Sequence, residues 1–170
     1  MAFAEVLESI YASGPDRQRW GVSLKLISRH CGARSGLLLI REKDSGRLDF
    51  WAEHGLGSGY QRPFIQHYRH GDLRLDDLIR HPVGVVRTDS MLPDYAAYVR
   101  SPAYRNLYRE LGTEHALGGF VHEEGSRSFA IRVFRSCADG HFAAGDVSRF
   151  RQLAPHMGRA VALTRRLLRA

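Results

Sequence analysis

Residues 116–134 read ALGGFVHEEGSRSFAIRVF. Two apolar runs, Ala116–His122 and Ser128–Phe134, flank Glu123-Glu124-Gly125-Ser126, a polar, glycine-bearing stretch suited to a hairpin tip. Strands joined this closely run antiparallel. Gly118-Gly119 leaves part of the first strand without side chains, a patch that a ligand or a helix can approach closely.

On the C-terminal side the spacing predicts one long amphipathic helix from Phe142 to Ala170. Val147, Phe150, Leu153, Met157, Val161, Thr164 and Leu168 recur at intervals of three and four. Asp146 stands at its start, and Arg149, Arg151, Arg159, Arg165, Arg166 and Arg169 follow with no further acid. That order of charge complements the helix dipole. With no cap or glycine after it, the helix is expected to serve as a dimerisation or connector element leading to a module outside this chain.

On the N-terminal side, Gly36–Ile40 is a short apolar run that reads as a buried strand, and Asp44-Ser45-Gly46 is a hairpin turn signal. In the strand that follows, Leu48 and Phe50 face one way and Asp49 and Trp51 the other. Val83–Thr88 supplies another short strand, so five strands are expected in one antiparallel sheet. Helices fill the remainder. Phe3, Val6, Leu7, Ile10 and Tyr11 stripe the first, broken at Gly14-Pro15-Asp16; Trp20, Leu24, Ile27 and Cys31 stripe the second, ended by Gly32. Tyr60, Phe64, His67 and Tyr68 mark the third, closed by Gly71. Leu73–Arg80 forms another turn or two and stops at His81-Pro82, because the residue before proline avoids helical geometry. Pro93-Asp94 begins a short helix through Tyr98. Ser101-Pro102 starts the next, with Tyr104, Leu107, Tyr108 and Leu111 inward and Gly112 at its end. These helices suffice to cover both faces of the sheet. The expected class is α+β, an α/β/α sandwich forming one domain over residues 1–170.

At 170 residues, 44% hydrophobic and 25% charged, the composition is that of an ordinary globular domain. The net charge of +7 comes almost wholly from arginines scattered through the chain, which fits solvation better than a nucleic-acid face. There is no apolar run long enough to span a membrane and no signal-peptide pattern, and Cys31 and Cys137 lie far apart. A reduced, cytoplasmic protein without membrane contact is expected.

Catalytic constellations with specific spacing are missing. Gly55-Leu56-Gly57-Ser58-Gly59 lacks the lysine of a phosphate-binding loop, and no nucleophile elbow occurs. His67 and His70 are three apart but have no Cys or second His pair to complete a metal shell. No enzyme, metal or cofactor is therefore expected. The concentrated chemistry is aromatic: Trp51, Tyr60, Phe64, Tyr68, Tyr95, Tyr98, Tyr104 and Tyr108. Such a set is either core or the wall of a small-molecule pocket, and its many phenol tips favour the pocket, since buried hydroxyls need partners. Asp72 either accepts a hydrogen bond from a ligand or caps the next helix, and His115 either joins the site or sits at a strand end. The candidate ligand-binding residues are Trp51, Tyr60, Phe64, Tyr68, Asp72, Tyr104, Tyr108 and His115.

The stretch HYRHGDLRLDDLIRHPVGVVRTDSMLPDYAAYVRSPAYRNLYRELGTEHALGGFV (residues 67–121) resembles the central part of the sensory domains of LuxR-type helix-turn-helix transcriptional regulators. So do Trp20 with Gly36–Ile40 and the closing LAPHMGRAVALTRRLLRA. The shared signals are Tyr68 and Asp72, Pro82-Val83-Gly84, Thr88-Asp89, Ser101 with Tyr104, Gly112 with His115 and Gly118, and Leu153-Ala154-Pro155-His156. The resemblance implies a PAS- or GAF-like, autoinducer-binding-like fold that senses a small organic effector, pairs as a homodimer and reaches DNA only through a helix-turn-helix domain not present in this chain. Tyr68 and Asp72 match the Tyr and Asp of acyl-homoserine-lactone receptors loosely. Leu73 replaces the proline usual beside that Asp, which argues against an acyl lactone.

Overall fold

The computed structural model describes residues 2–170. The hairpin forms as β4 (His115–Glu124) and β5 (Arg127–Arg135). β5 also pairs with β1 (Ser35–Glu42), β1 with β2 (Leu48–His54), and the two-residue β3 (Arg87–Thr88) with the outer side of β4. The order is β2-β1-β5-β4-β3, and all pairings are antiparallel.

Side-chain alternation sends two sets of apolar residues to opposite faces. Leu38, Ile40, Leu117, Phe129, Ile131 and Val133 join the core beneath α1 (Phe3–Ser13), α2 (Trp20–His30) and α7 (Ala144–Arg169). Leu37, Leu39, Leu48, Ala116, Ala130 and Phe134 join a second core beneath α3 (Ser58–Pro63), α4 (Leu73–Ile79), α5 (Tyr95–Arg100) and α6 (Arg109–Leu111). β1 is covered on both faces, which is why its sequence is an unbroken apolar run. The α/β/α sandwich expected from the sequence is the architecture observed.

Several elements differ from the sequence reading. The strand expected over Val83–Thr88 is confined to Arg87–Thr88. Gly84 turns the chain at φ +94, its N–H bonds the Phe120 carbonyl at 3.0 Å, and the Val85 carbonyl then settles on Gly119. A Cβ on Gly119 would lie 2.2 Å from that oxygen, and one on Gly118 would lie 2.2 Å from the Ile131 carbonyl. Both glycines are filled by backbone, so the side-chain-free patch is not open to a ligand. The third and sixth helical stretches contain π-helical turns, at Phe64–Tyr68 and Tyr104–Tyr108. The Arg69 N–H reaches back five residues to the Phe64 carbonyl at 2.8 Å.

The last helix begins at Ala144; Phe142 is buried ahead of it, under the Arg135 guanidinium at 4.4 Å. The Asp146 carboxylate accepts from the Ala143 N–H at 2.8 Å and fixes the start. Its expected stripe is buried from Val147 to Thr164, whereas Leu168 is 53% exposed because the helix has by then passed the end of the core. Arg165 and Arg169 pair with Glu124 at 2.5 and 3.1 Å, pinning this end to the hairpin tip.

His122 lies near this pinned end, its ring 5.5 Å from that of Phe129. Burial holds its imidazolium below the ordinary imidazole range, and Arg165 and Arg169 push the same way against the opposing pull of Glu124. Burial likewise lowers His30 and His54. For each, the folded state binds protons less readily than the unfolded chain. Their contribution to stability is therefore complete above the unfolded value of ~6.5 and is lost as pH falls from there through the lower folded value. Thermal midpoints are expected to decline between about pH 7.5 and 5.5, and His122→Gln should flatten that slope. An unchanged slope in the variant would remove His122 from this account.

Candidate functional site

Gly71, at φ +79, turns the chain into α4, and Asp72 caps the helix by accepting from the Leu75 N–H at 3.2 Å with Oδ2. Its other oxygen, Oδ1, is buried without a partner. Two residues later Arg74 enters the second core, 1% exposed. Its guanidinium lies 3.6 Å from the Tyr108 ring centroid, 5.2 Å from that of Phe134 and 5.6 Å from that of Tyr98. Nη1 donates to the Thr113 carbonyl at 2.5 Å and, more weakly, to that of Glu114 at 3.3 Å. Nε and Nη2 make no well-formed hydrogen bond, although the Tyr60 hydroxyl lies near the guanidinium, and the Tyr108 hydroxyl is turned toward Asp72 without a well-formed bond. A second arginine, Arg132 of β5, joins from the sheet; it is partly exposed, and its Nε too is unpartnered.

The rings pack around these charges. Tyr60 stacks on Phe64 at 5.8 Å and on Tyr108 at 6.2 Å, and Tyr98 meets Tyr104 edge-on at 5.1 Å. The Tyr98 hydroxyl donates to the Glu114 carbonyl. Burial pushes the Asp72 carboxyl above its usual range despite the opposing pull of Arg74 and Arg132, and lowers Arg132, which Arg74 lowers further. Burial also raises the Tyr60 and Tyr108 hydroxyls.

Tyr60, Phe64, Tyr104 and Tyr108 therefore come together with Asp72 facing them, and Tyr68 sits half-buried at the margin. His115 is buried at the start of β4, its Nδ1 2.9 Å from the Asp89 carboxylate. Its ring lies 4.3 Å from that of His141, which in turn lies 5.4 Å from Tyr95 at the edge of the ring cluster. Trp51 belongs elsewhere. It packs on the opposite face of the sheet, 5.9 Å from Phe129 and beneath the Arg17 guanidinium at 4.5 Å. Alternation along β2 gives the inward place to Phe50, which lies 6.0 Å from Tyr60 and 6.2 Å from Phe64. Trp51 and Tyr108 cannot line one site.

The expected recess is closed. The space beside Arg74 and Arg132, bounded by Leu78, Leu92 and Gly118, measures about 10 Å³, room for roughly one water. Arg74 occupies the volume that the sequence reading left between the rings. A shallow groove of about 650 Å³ lies outside α3, lined by Glu53, Ser58, Gln61, Arg62 and Ile65, and includes none of the aromatic set.

Among the described residues, Asp89, His115 and His141 bring one ligand atom each within 4.8 Å of one another, a donor set that suits a transition-metal ion. Hydrogen bonds already organise the buried pair: Asp89 accepts from His115 and, at 2.9 Å, from the Ala116 N–H. His67 and His70 are both exposed, and the His70 ring accepts from Arg69 Nε at 3.3 Å. Burial pushes the Cys31 thiol up to about 12, which keeps it protonated and unreactive. No helix of the described residues is long and apolar enough to cross a membrane.

No protein-family model matches the sequence, and no curated relative does. The fold has clear likenesses among solved structures. The ligand-binding domain of VqsR from Pseudomonas aeruginosa superposes with a TM-score of 0.77 at 10% identity, covering 97% of each chain. CepR2 from Burkholderia cenocepacia, an N-acylhomoserine-lactone-dependent LuxR-family transcription factor, gives 0.68 at 12% identity over 98% of each chain. The GAF domain of a phosphoenolpyruvate-protein phosphotransferase from Coxiella burnetii gives 0.64 at 20% identity over 98% of this chain and 96% of that one. The chain thus has the GAF-like α/β/α fold also seen in LuxR-type ligand-binding domains, as the sequence resemblance implied.

Proposed function

We propose that this chain is the sensing domain of a LuxR-type transcriptional regulator, taking a small organic effector between the sheet and the central helices. The observation that carries this reading is the group of buried polar atoms without a well-formed hydrogen bond, Asp72 Oδ1, Arg74 Nε and Nη2 and Tyr108 OH, gathered in one aromatic core. Buried polar groups without partners cost about 1–3 kcal/mol each, and an effector that satisfies them recovers that cost. The reading assigns no catalysis. α7, shared by the first core and the hairpin, would carry the change to a DNA-binding domain, with two copies paired through the terminal helices in the cytoplasm.

A second reading, a ligand-free dimerisation module, draws support from the closed 10 Å³ interior. Thermal shift over a panel of neutral lactones, amides and carboxylates separates the two. An effector at a hundredfold excess over its Kd is expected to raise the thermal midpoint by roughly 5–10 °C, to do so less in Asp72→Asn, and to slow amide exchange in α7. If nothing in the panel stabilises the protein while sedimentation shows a stable dimer, the ligand-free reading prevails.

A further inference from the structure

Building on the sensor reading, we propose that the effector is a small organic carboxylate, its carboxylate held between Arg74 and Arg132 and its body among the rings of Tyr60 and Tyr108. The argument begins with charge. Arg74 and Arg132 bring two positive charges to one core, and Asp72 is the acid that faces them. The other acids nearby face away from the two guanidinium groups. Asp77 pairs with Arg87 through two bonds of 2.9 Å, Asp89 bonds His115 and the Ala116 N–H, and the Glu114 carboxylate, its Oε1 buried without a partner, lies toward Tyr95 and Tyr104. One positive charge is left over, and a monoanion balances it, where a phosphate dianion would overshoot.

The donors agree with that count. Arg74 Nε and Nη2 and Arg132 Nε are buried N–H groups without a well-formed acceptor, while the Tyr108 hydroxyl is turned toward the Asp72 carboxylate. Guanidinium forks match the planar, two-oxygen face of a carboxylate, and the surrounding rings suit an apolar or aromatic body. Opening would fall to the roof. Phe64 and Tyr68 lie on one π-helical turn and Tyr104 and Tyr108 on the other, and relaxation of a π turn to α geometry would shift the register of its side chains. Entry would follow the crevice through which Arg132 meets solvent, past Leu78, Arg87 and Gly118.

The test uses the full chain with sodium benzoate, benzamide, sodium formate and inorganic phosphate, at one pH and one ionic strength, read by thermal shift and calorimetry. Benzoate and, more weakly, formate are expected to stabilise the protein in a saturable way while benzamide does not. Arg74→Ala strips the carbonyl bonds as well as the charge and so tests folding, which makes Arg132→Gln the informative variant. With its fold checked by circular dichroism, it should bind benzoate at least about tenfold more weakly. Arg74→Lys, which keeps the charge and loses the fork, should fall between. Equal response to benzoate and benzamide, preference for phosphate, silence toward both carboxylates, or undiminished binding by Arg132→Gln overturns the proposal. Benzoate binding with α7 exchange unchanged would instead leave the anion site standing and remove the sensor reading. A neutral lactone that binds and slows α7 exchange would do the reverse.

Discussion

Replacing Trp20 by alanine is expected to cost about 3–5 kcal/mol and to lower the thermal midpoint by roughly 10–15 °C. Trp20 is fully buried in the first core, so truncation leaves a cavity that the neighbouring helices cannot close without moving. It also breaks a polar junction. The indole Nε1 donates to Thr164 Oγ1 at 3.2 Å, and that hydroxyl is placed to donate to the Gly14 carbonyl at 2.7 Å or the Ser13 carbonyl at 3.1 Å. One side chain of α2 thereby ties the end of α1 to the middle of α7. Trp20→Phe keeps most of the volume and removes only the N–H, so it should lose much less. Urea unfolding of both variants decides it: a loss below about 1 kcal/mol for the alanine variant would contradict a cavity at this site.

Gly158→Val is expected to be the other severe change, because helix and sheet meet there backbone to backbone. A Cβ at Gly158 would lie 2.3 Å from the Val121 carbonyl oxygen, and neither the α7 backbone nor the β4 strand can yield locally. The helix must lift away from the sheet, opening the core beside Val121, Phe129 and Met157. Overpacking of this kind costs about 1–3 kcal/mol or more. Gly145, in the first turn of the same helix, is the control. A methyl group there meets only the guanidinium of Arg149, at an ordinary contact distance of 3.6 Å, so Gly145→Ala should be neutral or slightly stabilising. Equal stability for the two variants would mean that α7 does not need its close approach to β4. The same contact is the route by which a change in the sheet would reach α7, so a Gly158 variant that still folds should also lose the effector response of α7.

Much of the fold could be read from local signals. The hairpin at Glu124-Gly125 announced itself by turn chemistry, β1 by its apolar run, α7 by its periodicity, and the helix ends by Gly32, Gly71 and Gly112, all three at positive φ. The errors came where distant backbone intervened. Val83–Val86 has the composition of a strand, yet its backbone bonds the Phe120 carbonyl and covers Gly119 instead of continuing a ladder. The π turns left no trace in composition, since Phe64–Tyr68 and Tyr104–Tyr108 carry ordinary helical stripes.

The site was legible only in part. Its rings were found, because tyrosine and phenylalanine at helical spacing point inward. Trp51 was grouped with them although the alternation of β2 already placed it opposite Phe50. The two arginines at the centre were overlooked among many scattered ones, although one signal was present. Phe129, Ile131 and Val133 share one face of β5, which leaves Arg132 on the other face between Ala130 and Phe134, an inward arginine in a buried strand.

The amino-acid sequence by itself determined which segments become helix and strand and which faces they bury, because capping, turn geometry and periodicity act over a few residues. Only the tertiary structure decided that Arg74 and Arg132, 58 positions apart, both reach the Phe134 ring and close the interior around two positive charges. Charges from separate elements sum only once packing has removed the water that would have screened each of them alone.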